Sequence, residues 1–451
     1  MSAADFPMSR ISQFTFDLQS HQIPVDVVKT VRLLLLDTMG IWIAATPMEA
    51  GKLARETSYR LYNTAVAHDC STMMFDGRRA SSAGAAFAGA TQIDNLDGHD
   101  GYNPTKGHIG VAVVPSLFAM AEHIPYLSGL DALAALIVGY EVAGRAGIAL
   151  HETVSDYHTS GAWNGLGVAA MAARLRNSSP EQLREALGIA EYHGPRSQMM
   201  REIANPTMLH DGSGMGALVG LSAIIMAEMG YAGAPAITVE ADDVSPYWAD
   251  LGTFWQTAHQ YIKPYPICRW AHAAIDGAGE VCTAHNLRPE HIKYIEIRSF
   301  HNAVQLFSGM PETTSMAQYS LPFAVANMIA HGQIGLEHIS GKGLCDPVVA
   351  ELVAKTKMVE DARHESRFPA GRWADVTLHL HDGRILASGD THARGGPERP
   401  FSETDIIDKY MAFAVPVLGK NRAVIIRDTI LALDSPTARL ADLTRHLVAP
   451  P

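Results

Sequence analysis

The sequence predicts a mainly α-helical protein with a smaller α+β domain, and three observations support this fold class. Apolar residues recur at helical spacing, with repeated helix-capping signals, through the first half of the chain. The apolar period becomes strand-like after Lys263, and helical signals resume at Ser402. We therefore predict a discontinuous all-helical domain over residues 1–262 and 392–451, and an α+β domain over residues 263–391.

The helical domain is predicted from periodicity and from capping residues. A helix follows Pro24, because the apolar residues after it recur three and four positions apart. Ser128 and Ser179 begin capping boxes, as does Ser402 near the end of the chain. Small residues let helix axes approach closely, so the helices rich in Ala and Gly should lie at the centre of this domain. These helices are predicted over Ala80–Ala90, Gly165–Ala173 and Gly212–Ala227.

The α+β domain is predicted from alternating apolar residues. The segment from His291 to Phe300 alternates as a strand does, with Ile295 and Ile297 on one face. A second alternating run leads into Asp382-Gly383, a dipeptide that favours a tight β-hairpin turn. Two helices are predicted between these strands, over Ser315–Ala330 and Leu344–Lys355.

Composition restricts the classes of protein to which this chain can belong. The chain has 451 residues, of which 47% are hydrophobic and 18% are charged, so it can bury a large core and is not disordered. Its net charge of −12 and its lack of basic runs argue against nucleic acid and anionic membranes as partners. The low charged fraction also fits a chain that covers a face in an oligomer.

Several features predict a soluble, cytoplasmic protein. The four cysteines are far apart in the sequence and match no zinc-ligand spacing, so we expect reduced and mostly buried thiols. Met1 to Phe14 contains no apolar core of a signal peptide. The most apolar stretch, Gly212–Ala227, is shorter than the ~20 residues that a membrane span needs.

The densest group of reactive side chains lies between Asp94 and Gly110. It combines Asp, His and Lys with several Gly, which suits a loop that presents side chains while its backbone approaches a ligand. Lys106 and His108 contribute nothing to turn formation, so a functional loop is favoured over a surface turn. The acidic and histidine residues Asp94, Asp97, His99 and Asp100 could also bind a metal, although their order fits no calcium loop.

Two further segments carry histidine or arginine close to helix starts. His158 precedes a small-residue helix, where it can act as a proton donor, a base or a helix cap. The glycines that follow it resemble half of a dinucleotide fingerprint, but no strand is predicted before them, so we interpret them as packing contacts. Arg196, Arg201 and His210 precede the Gly-rich helix start at Gly212, an arrangement suited to binding carboxylates.

The most distinctive segment runs from Lys263 to His272. Its two prolines keep the chain extended at the start of the α+β domain, and Arg269, His272 and Asp276 are spaced for one side of the following helix. Farther along, Tyr319 places a hydroxyl just before a turn bent by Pro322.

Three of these segments together resemble the MmgE/PrpD family. They are Lys-Pro-Tyr-Pro-x-Cys-Arg-x-x-His at 263–272, Ala-Gln-Tyr-Ser-Leu-Pro-Phe at 317–323, and the Asp-rich loop ending in Gly-His-x-Gly at 107–110. Members of that family include 2-methylcitrate dehydratase, cis-aconitate decarboxylase and iminodisuccinate epimerase. The resemblance covers nearly the whole chain. It implies a large helical domain, a smaller lid-like α+β domain, a homodimer, and an active site at the domain junction without a cofactor or metal.

The resemblance and the residue chemistry together give a set of candidate site residues. The candidate catalytic residues are Asp94, Asp97, Lys106, His108, His158, Lys263 and Tyr319. The candidate substrate-binding residues are Tyr102, Arg201, His210, Arg269 and His272. The lysine, arginine and histidine side chains among these candidates suit a small anionic di- or tricarboxylate as substrate. Lys263 is the expected base, and His108 or Lys106 is its expected counterpart.

This chain departs from the dehydratases and decarboxylases at two places. Their Asp-Phe-Asp-Asp-Thr run is replaced by Asp97-Gly98-His99-Asp100, and Thr207 stands where they carry a lysine. We therefore expect proton abstraction next to a carboxylate, with an iminodisuccinate-type epimerase favoured over 2-methylcitrate dehydration or cis-aconitate decarboxylation. The alternatives from other classes are a metal-dependent hydrolase or lyase on the Asp94–Asp100 loop and a non-catalytic helical interaction protein.

Overall fold

The structure, a computed structural model, describes residues 5–451 and is mainly helical with a smaller sheet-containing part. This arrangement confirms the predicted fold class. Residues 1–4, which belong to the predicted helical domain and to the segment used to assess a signal peptide, lie outside the described residues.

The α-helices follow the predicted pattern, with boundaries that differ by a few residues. They are α1 Asp5–Asp17, α2 Val25–Ala45, α3 Glu49–Leu61, α4 Ser82–Asp94, α5 Gly110–Ala121, α6 Gly129–Thr153, α7 Asn164–Arg176, α8 Pro180–His193, α9 Met199–Ala204, α10 Ser213–Glu228, α11 Ile237–Glu240, α12 His272–His285, α13 His301–Val304, α14 Thr314–Gln318, α15 Leu321–His331, α16 Pro347–Ala354, α17 Ala362–Glu365, α18 Glu403–Leu418, α19 Lys420–Leu431 and α20 Leu440–Thr444.

The strands form two sheets, a small antiparallel one and a larger mixed one. They are β1 Cys70–Thr72, β2 Arg79–Ser81, β3 Ile292–Ser299, β4 Thr356–Glu360, β5 Trp373–Leu380, β6 Ile385–Ala387 and β7 Thr391–His392. The pair β1 and β2 forms a small hairpin inside the region that we predicted to be entirely helical. The larger sheet has the order β4-β3-β5-β6, with β7 also paired to β5.

The chain divides into two compact units. Unit 1 comprises residues 1–199, 211–260 and 402–451, and unit 2 comprises residues 200–210 and 261–401. The C-terminal helices α18 to α20 therefore belong to unit 1, although residues 261–401 of unit 2 separate them in sequence from the rest of it.

Small residues allow close packing of the central helices of unit 1. Helix α10 packs against α4, α7 and α8, and α6 packs against α7. A Cβ atom at Gly167 in α7 would collide with the backbone carbonyl of Gly139 and lie 2.6 Å from the Cβ of Ala143, both in α6. Glycine is therefore needed where α6 and α7 cross, as the Ala- and Gly-rich pattern predicted.

The predicted capping residues start their helices. Ser128 accepts a hydrogen bond from the Asp131 backbone amide, and Ser179 and Ser402 form reciprocal capping boxes with Gln182 and Asp405. Each cap satisfies backbone N–H groups that would otherwise lack partners at a helix start.

In unit 2 the predicted strands and hairpin are present. Ile295 and Ile297 of β3 are fully buried, and β5 continues through a turn with Gly383 at φ +89° into β6. The single helix predicted over Ser315–Ala330 was wrong, because Ser320 interrupts it. Its side chain accepts from the Phe323 amide and caps the separate helix α15.

Two further expectations can be compared with the structure. Helix α6 is long and apolar enough to span a membrane, but 94% of its most apolar window is buried within the structure, as in a core helix. Cys70 and Cys268 are buried, Cys282 is half-buried and Cys345 is exposed; all four are free thiols.

Candidate active site

The loop between α4 and α5 in unit 1 contains most of the predicted reactive residues. Its middle is folded back on itself, since the Tyr102 amide donates to the Gly107 carbonyl at 2.8 Å and the Lys106 amide donates to the Asn103 carbonyl at 3.0 Å. Gly110 ends the loop. A Cβ atom there would collide with the Asp100 carboxyl group and the Tyr140 hydroxyl, so glycine allows these two groups to approach.

His108 is held in one tautomer by the backbone. Its Nδ1 lies 2.7 Å from the Asp100 carbonyl oxygen, which can only accept, so Nδ1 carries the proton in the neutral ring. The other nitrogen, Nε2, then has the basic lone pair and lies 3.8 Å from Oδ2 of Asp211. The backbone amide of His108 donates to the Ser160 hydroxyl at 2.9 Å.

Asp211 and Asp94 are placed by the segments that flank His108. Oδ1 of Asp211 accepts from both the amide and the hydroxyl of Ser160, at 3.0 and 2.6 Å. Asp94, at the end of α4, accepts from the Ser213 amide at 3.1 Å. Burial, and then the nearby negative charges of Asp211 and Asp97, raise the pKa of Asp94 well above its usual range. This shift favours the protonated form of Asp94.

Asp100 and His99 support His108 from the other side. His99 also donates from Nδ1 to the Asp100 carbonyl, at 3.2 Å, and the two imidazole rings lie edge to face with centroids 4.5 Å apart. The Asp100 carboxyl group accepts from the hydroxyls of Thr38 and Tyr140, at 3.1 and 3.2 Å. Burial, and then the neighbouring Asp37, raise the pKa of Asp100 to about 7.

A second pair of histidines, His151 and His158, lies shortly before Ser160 in the chain. His158 donates from Nδ1 to the Asp156 carbonyl at 2.9 Å, and its own amide donates to Nε2 of His151 at 3.2 Å. The Lys106 ammonium lies 4.8 Å above the centre of the Tyr157 ring. Burial, and then the positive charge of Lys106, lower the pKa of His151 to about 4, so His151 is neutral at physiological pH.

Backbone strain is concentrated at the candidate residues. Six non-glycine residues have positive φ within the described part of the chain, and three of them, Asp97, Lys106 and His210, belong to the predicted site. Such conformations cost about 1–3 kcal/mol each and persist where the surroundings hold them, often at functional sites. Two of the others, Asn177 and Asn286, end helices.

Lys263 and Tyr319 lie in unit 2. Lys263 is fully buried, and its positive charge acts on the neighbouring Tyr261, although burial still raises the pKa of Tyr261 to about 12. Tyr319 is almost fully buried, and its hydroxyl lies 3.5 Å from Nδ1 of His210. Thus His210 and Tyr319 come together within this unit, as two of the candidate residues.

Arg269 and His272 contact the backbone of their own unit. Arg269 donates to the carbonyls of Arg394 and Ala393 and lies over the Tyr261 ring. Its pKa is lowered to about 10, mainly by burial. His272 donates from Nε2 to the Ile267 carbonyl at 2.8 Å. These bonds give both side chains a structural role, and their predicted contact with substrate carboxylates stays a prediction.

The other two candidate binding residues, Tyr102 and Arg201, lie in different surroundings. Tyr102 packs in the core of unit 1 near Gly144, and burial, followed by the charge of Glu141, raises its pKa. The predicted contact of Tyr102 with substrate stays a prediction. Arg201 is exposed on α9. Thr207 is engaged by Glu202, to which its hydroxyl donates at 2.9 Å.

Metal-ligand geometry within the described residues occurs at Asp361, His364 and Asp375 of unit 2, whose donor atoms lie within 4.8 Å of one another. These carboxylates are already bridged by the Arg363 guanidinium, at 2.9 and 2.8 Å. The loop from Asp94 to Asp100, proposed as the alternative metal site, is not part of that group.

Sequence reasoning did not assign roles to Asp211, Ser160 and Asp100 as partners of His108. Asp211 and Ser160 lie in segments that we singled out, directly after His210 and two residues after His158. Their contacts join parts of the chain about 50 residues apart, which periodicity and motif spacing do not reveal.

Comparison with known proteins identifies the family. Residues 9–245 match the model of the MmgE/PrpD N-terminal domain, and residues 265–435 match the model of the C-terminal domain. The chain belongs to the MmgE/PrpD family. It is therefore an enzyme of that family, as the motifs at 107–110, 263–272 and 317–323 indicated.

Relatives within this family resemble the chain over almost its full length. The cis-aconitate decarboxylase of Mus musculus is 24% identical, covering 94% of this chain and 89% of the relative. The cis-aconitate decarboxylase of Aspergillus terreus is 24% identical, covering 97% of this chain and 94% of the relative. The human cis-aconitate decarboxylase is 25% identical over 87% of this chain and 84% of its own length.

Proposed function

We propose that this enzyme is a lyase that removes carbon dioxide or water from a small di- or tricarboxylate by proton transfer next to a carboxylate. The observation that carries this proposal is the fixed tautomer of His108 in unit 1, which leaves the basic nitrogen Nε2 facing the Asp211 carboxyl group at 3.8 Å. The full-length similarity to cis-aconitate decarboxylases supports the lyase class and the polycarboxylate substrate.

Both lyase reactions need a proton donor or acceptor held at a fixed position. Loss of carbon dioxide leaves the electron pair of the broken C–C bond on the substrate, and that pair must take up one proton. Loss of water needs one proton removed from carbon and one delivered to the departing hydroxyl group. A positioned imidazole that accepts or returns a proton suits either reaction.

The fixed tautomer of His108 matters for this chemistry. Because Nδ1–H is bonded to the Asp100 carbonyl, Nε2 is the nitrogen that accepts or returns a proton. Burial and two nearby carboxylates raise the pKa of Asp94, which favours the form that can donate a proton. Lys263, His158 and Tyr319 are proposed as further groups that bind the anionic substrate or move its protons.

Epimerisation is a second candidate, and one contact favours it. Thr207 stands where our sequence comparison places a lysine in the dehydratases and decarboxylases, and its hydroxyl is bonded to Glu202. Where those enzymes carry a cationic proton donor, this chain has a threonine whose hydroxyl is already hydrogen-bonded to Glu202. An epimerase needs only removal and return of a proton at one carbon, with no leaving group to protonate.

Incubation of candidate substrates in deuterated water separates these reactions. The panel contains cis-aconitate, 2-methylcitrate and iminodisuccinate, and NMR follows both deuterium and product. We expect one deuterium in the product for each molecule of carbon dioxide lost, whereas loss of water should give an unsaturated product without deuterium. Deuterium at the α carbon with inversion and no loss would identify an epimerase instead.

Matched variants tie the reaction to the cluster. His108→Gln should lower kcat by about 100-fold or more, since general acid–base catalysis contributes about 10²–10⁴-fold. His285→Gln, an exposed histidine at the end of α12, is the control and should retain wild-type turnover. Equal activity in both variants would exclude His108 as the proton-transfer residue. Absence of turnover and exchange with every member of the panel would refute the proposed substrate class.

A further inference from the structure

The C-terminal segment of unit 1 contributes one buried charge to the Asp/His loop. Lys409 on α18 donates from its ammonium group to the Gly98 carbonyl at 2.7 Å and to the Asp37 carboxylate on α2. The Lys409 side chain is 9% exposed and that of Asp37 is fully buried. A buried ion pair gains little stability over apolar residues, because both ions lose their hydration, so this pair invites an explanation other than stability.

The contact at Gly98 is two residues from the group that orients His108. The Asp100 carbonyl accepts from Nδ1 of His108 at 2.7 Å and from Nδ1 of His99 at 3.2 Å. A shift of the backbone at Gly98 would move this carbonyl, and with it both imidazole rings.

The backbone beside Gly98 is strained and needs to be held. Asp97 has φ of +51°, a left-handed conformation that costs free energy for a residue with a side chain. On the α4 side its amide donates to the Asp94 carbonyl at 3.0 Å. On the other side, the carbonyl of the next residue, Gly98, is held by Lys409.

Helix α2 supports the same loop through neighbouring residues. Asp37 binds Lys409, and Thr38 donates to Oδ1 of Asp100 at 3.1 Å. The negative charge of Asp37 acts on Asp100, and Lys409 is the cation paired with Asp37. Lys409 thus connects the loop backbone to the helix that binds the loop carboxyl group.

We propose that Lys409 is a positioning residue for His108, acting through Gly98 and the Asp100 carbonyl. This role rests on the proposed function, in which Nε2 of His108 transfers the proton. Lys409 holds the strained start of the loop so that the tautomer and direction of the imidazole ring are set before substrate binds.

Three variants and two measurements test this role in the full-length enzyme. Lys409→Met removes the cation, and Lys420→Met, at an exposed lysine at the start of α19, is the matched control. The double variant Asp37→Asn/Lys409→Met removes both buried charges, and so avoids leaving an unpaired carboxylate. Turnover is measured with the substrate found for the wild type, and amide hydrogen exchange is measured for peptides covering residues 97–110.

We expect Lys409→Met and the double variant to lower kcat by about 100-fold with little change in KM, the size that a 1 Å misplacement of a reacting group produces. Exchange over residues 97–110 should be faster in both variants, while peptides from α6 and α7 keep wild-type protection. Lys420→Met should match the wild type in both measurements.

The opposite results would overturn the proposal. If the double variant regained wild-type kcat and wild-type exchange, Lys409 would serve only to neutralise Asp37. If exchange rose throughout unit 1, its role would be general stability. If the wild type turned over none of the polycarboxylates, the proposed function would fail, and the exchange experiment would still decide whether Lys409 holds the loop.

Discussion

At the scale of single residues, burial raises the pKa of two carboxyl groups in the candidate site. Asp94, at the end of α4, and Asp100, in the loop that carries His108, have a raised pKa for the same first cause, loss of hydration. One of them, Asp100, also provides the carbonyl that orients His108. The carboxyl group of Asp100 therefore contributes to the pH dependence of stability, whereas its backbone carbonyl orients the His108 ring.

The raised pKa of Asp100 predicts a pH dependence of folding. An unfolded aspartate releases its proton above a pH of about 4, whereas Asp100 in the folded enzyme keeps it until a pH of about 7. Stability from this proton is fully present below pH ~4 and is lost as the pH rises to about 7. The free energy of unfolding should therefore fall for the wild type relative to Asp100→Asn over this interval, by an amount on the order of 4 kcal/mol.

Urea unfolding at several pH values between 4 and 8 measures this difference. Asp26→Asn, at an exposed aspartate in the first turn of α2, is the control and should show no comparable change with pH. A constant difference between wild type and Asp100→Asn across the range would show that Asp100 does not titrate with a raised pKa.

At the scale of secondary-structure elements, close helix contacts built on small residues give unit 1 its centre. The crossing of α6 and α7 has no room for a side chain at Gly167 in α7, whereas Gly144 in α6 has ordinary space around it. Because glycine lowers helix propensity by about 1 kcal/mol relative to alanine, its presence at a crossing has a cost that close packing must offset.

Gly167→Ala should therefore destabilise the enzyme by about 2 kcal/mol, since overpacking exceeds the gain in helix propensity. Gly144→Ala in α6 is the matched control, because a Cβ atom there would lie 3.4 Å or more from its neighbours. We expect Gly144→Ala to be neutral or slightly stabilising. Thermal unfolding compares the two variants, and equal melting temperatures would contradict the close crossing.

At the scale of the whole molecule, unit 1 is built from both ends of the chain. Helix α18 packs along α2, and the Tyr410 ring lies against Gly40, where an added Cβ atom would be 3.2 Å from the ring. The buried residues Ile406, Tyr410 and Ala414 of α18 cover the apolar face of α2. The chain after Phe401 is therefore part of the core of unit 1.

A chain that ends at Phe401 should lose the cooperative unfolding of unit 1, because α2 would expose its apolar face. A chain that ends at Val448 is the control, since it removes only the terminal carbonyls of Ala449 and Pro450 to which Arg422 donates. Soluble yield and the thermal transition in circular dichroism report the result. An unchanged transition in the shorter chain would show that α18 to α20 are dispensable for this unit.

Much of the fold follows from local sequence signals. The helix from Val25 and the hairpin around Gly383 are set by periodicity, caps and turn residues, all of which act within a few positions of the chain. We missed the break at Ser320. Ser320 caps a helix whose second residue is Pro322, but the apolar residues on both sides of it also fit one continuous helix. Domain limits and site roles stay predictions.

The sequence by itself determined the family motifs and the residues able to do chemistry, including His108, Lys263 and Tyr319. Only the tertiary structure decided which atoms of these residues are used, since the carbonyl of Asp100 fixes the His108 tautomer and Asp211 faces its other nitrogen. It also brought Lys409 to Gly98. The physical reason is that motif spacing records which side chains are close along the chain, whereas a proton's position depends on hydrogen bonds and burial formed by distant segments.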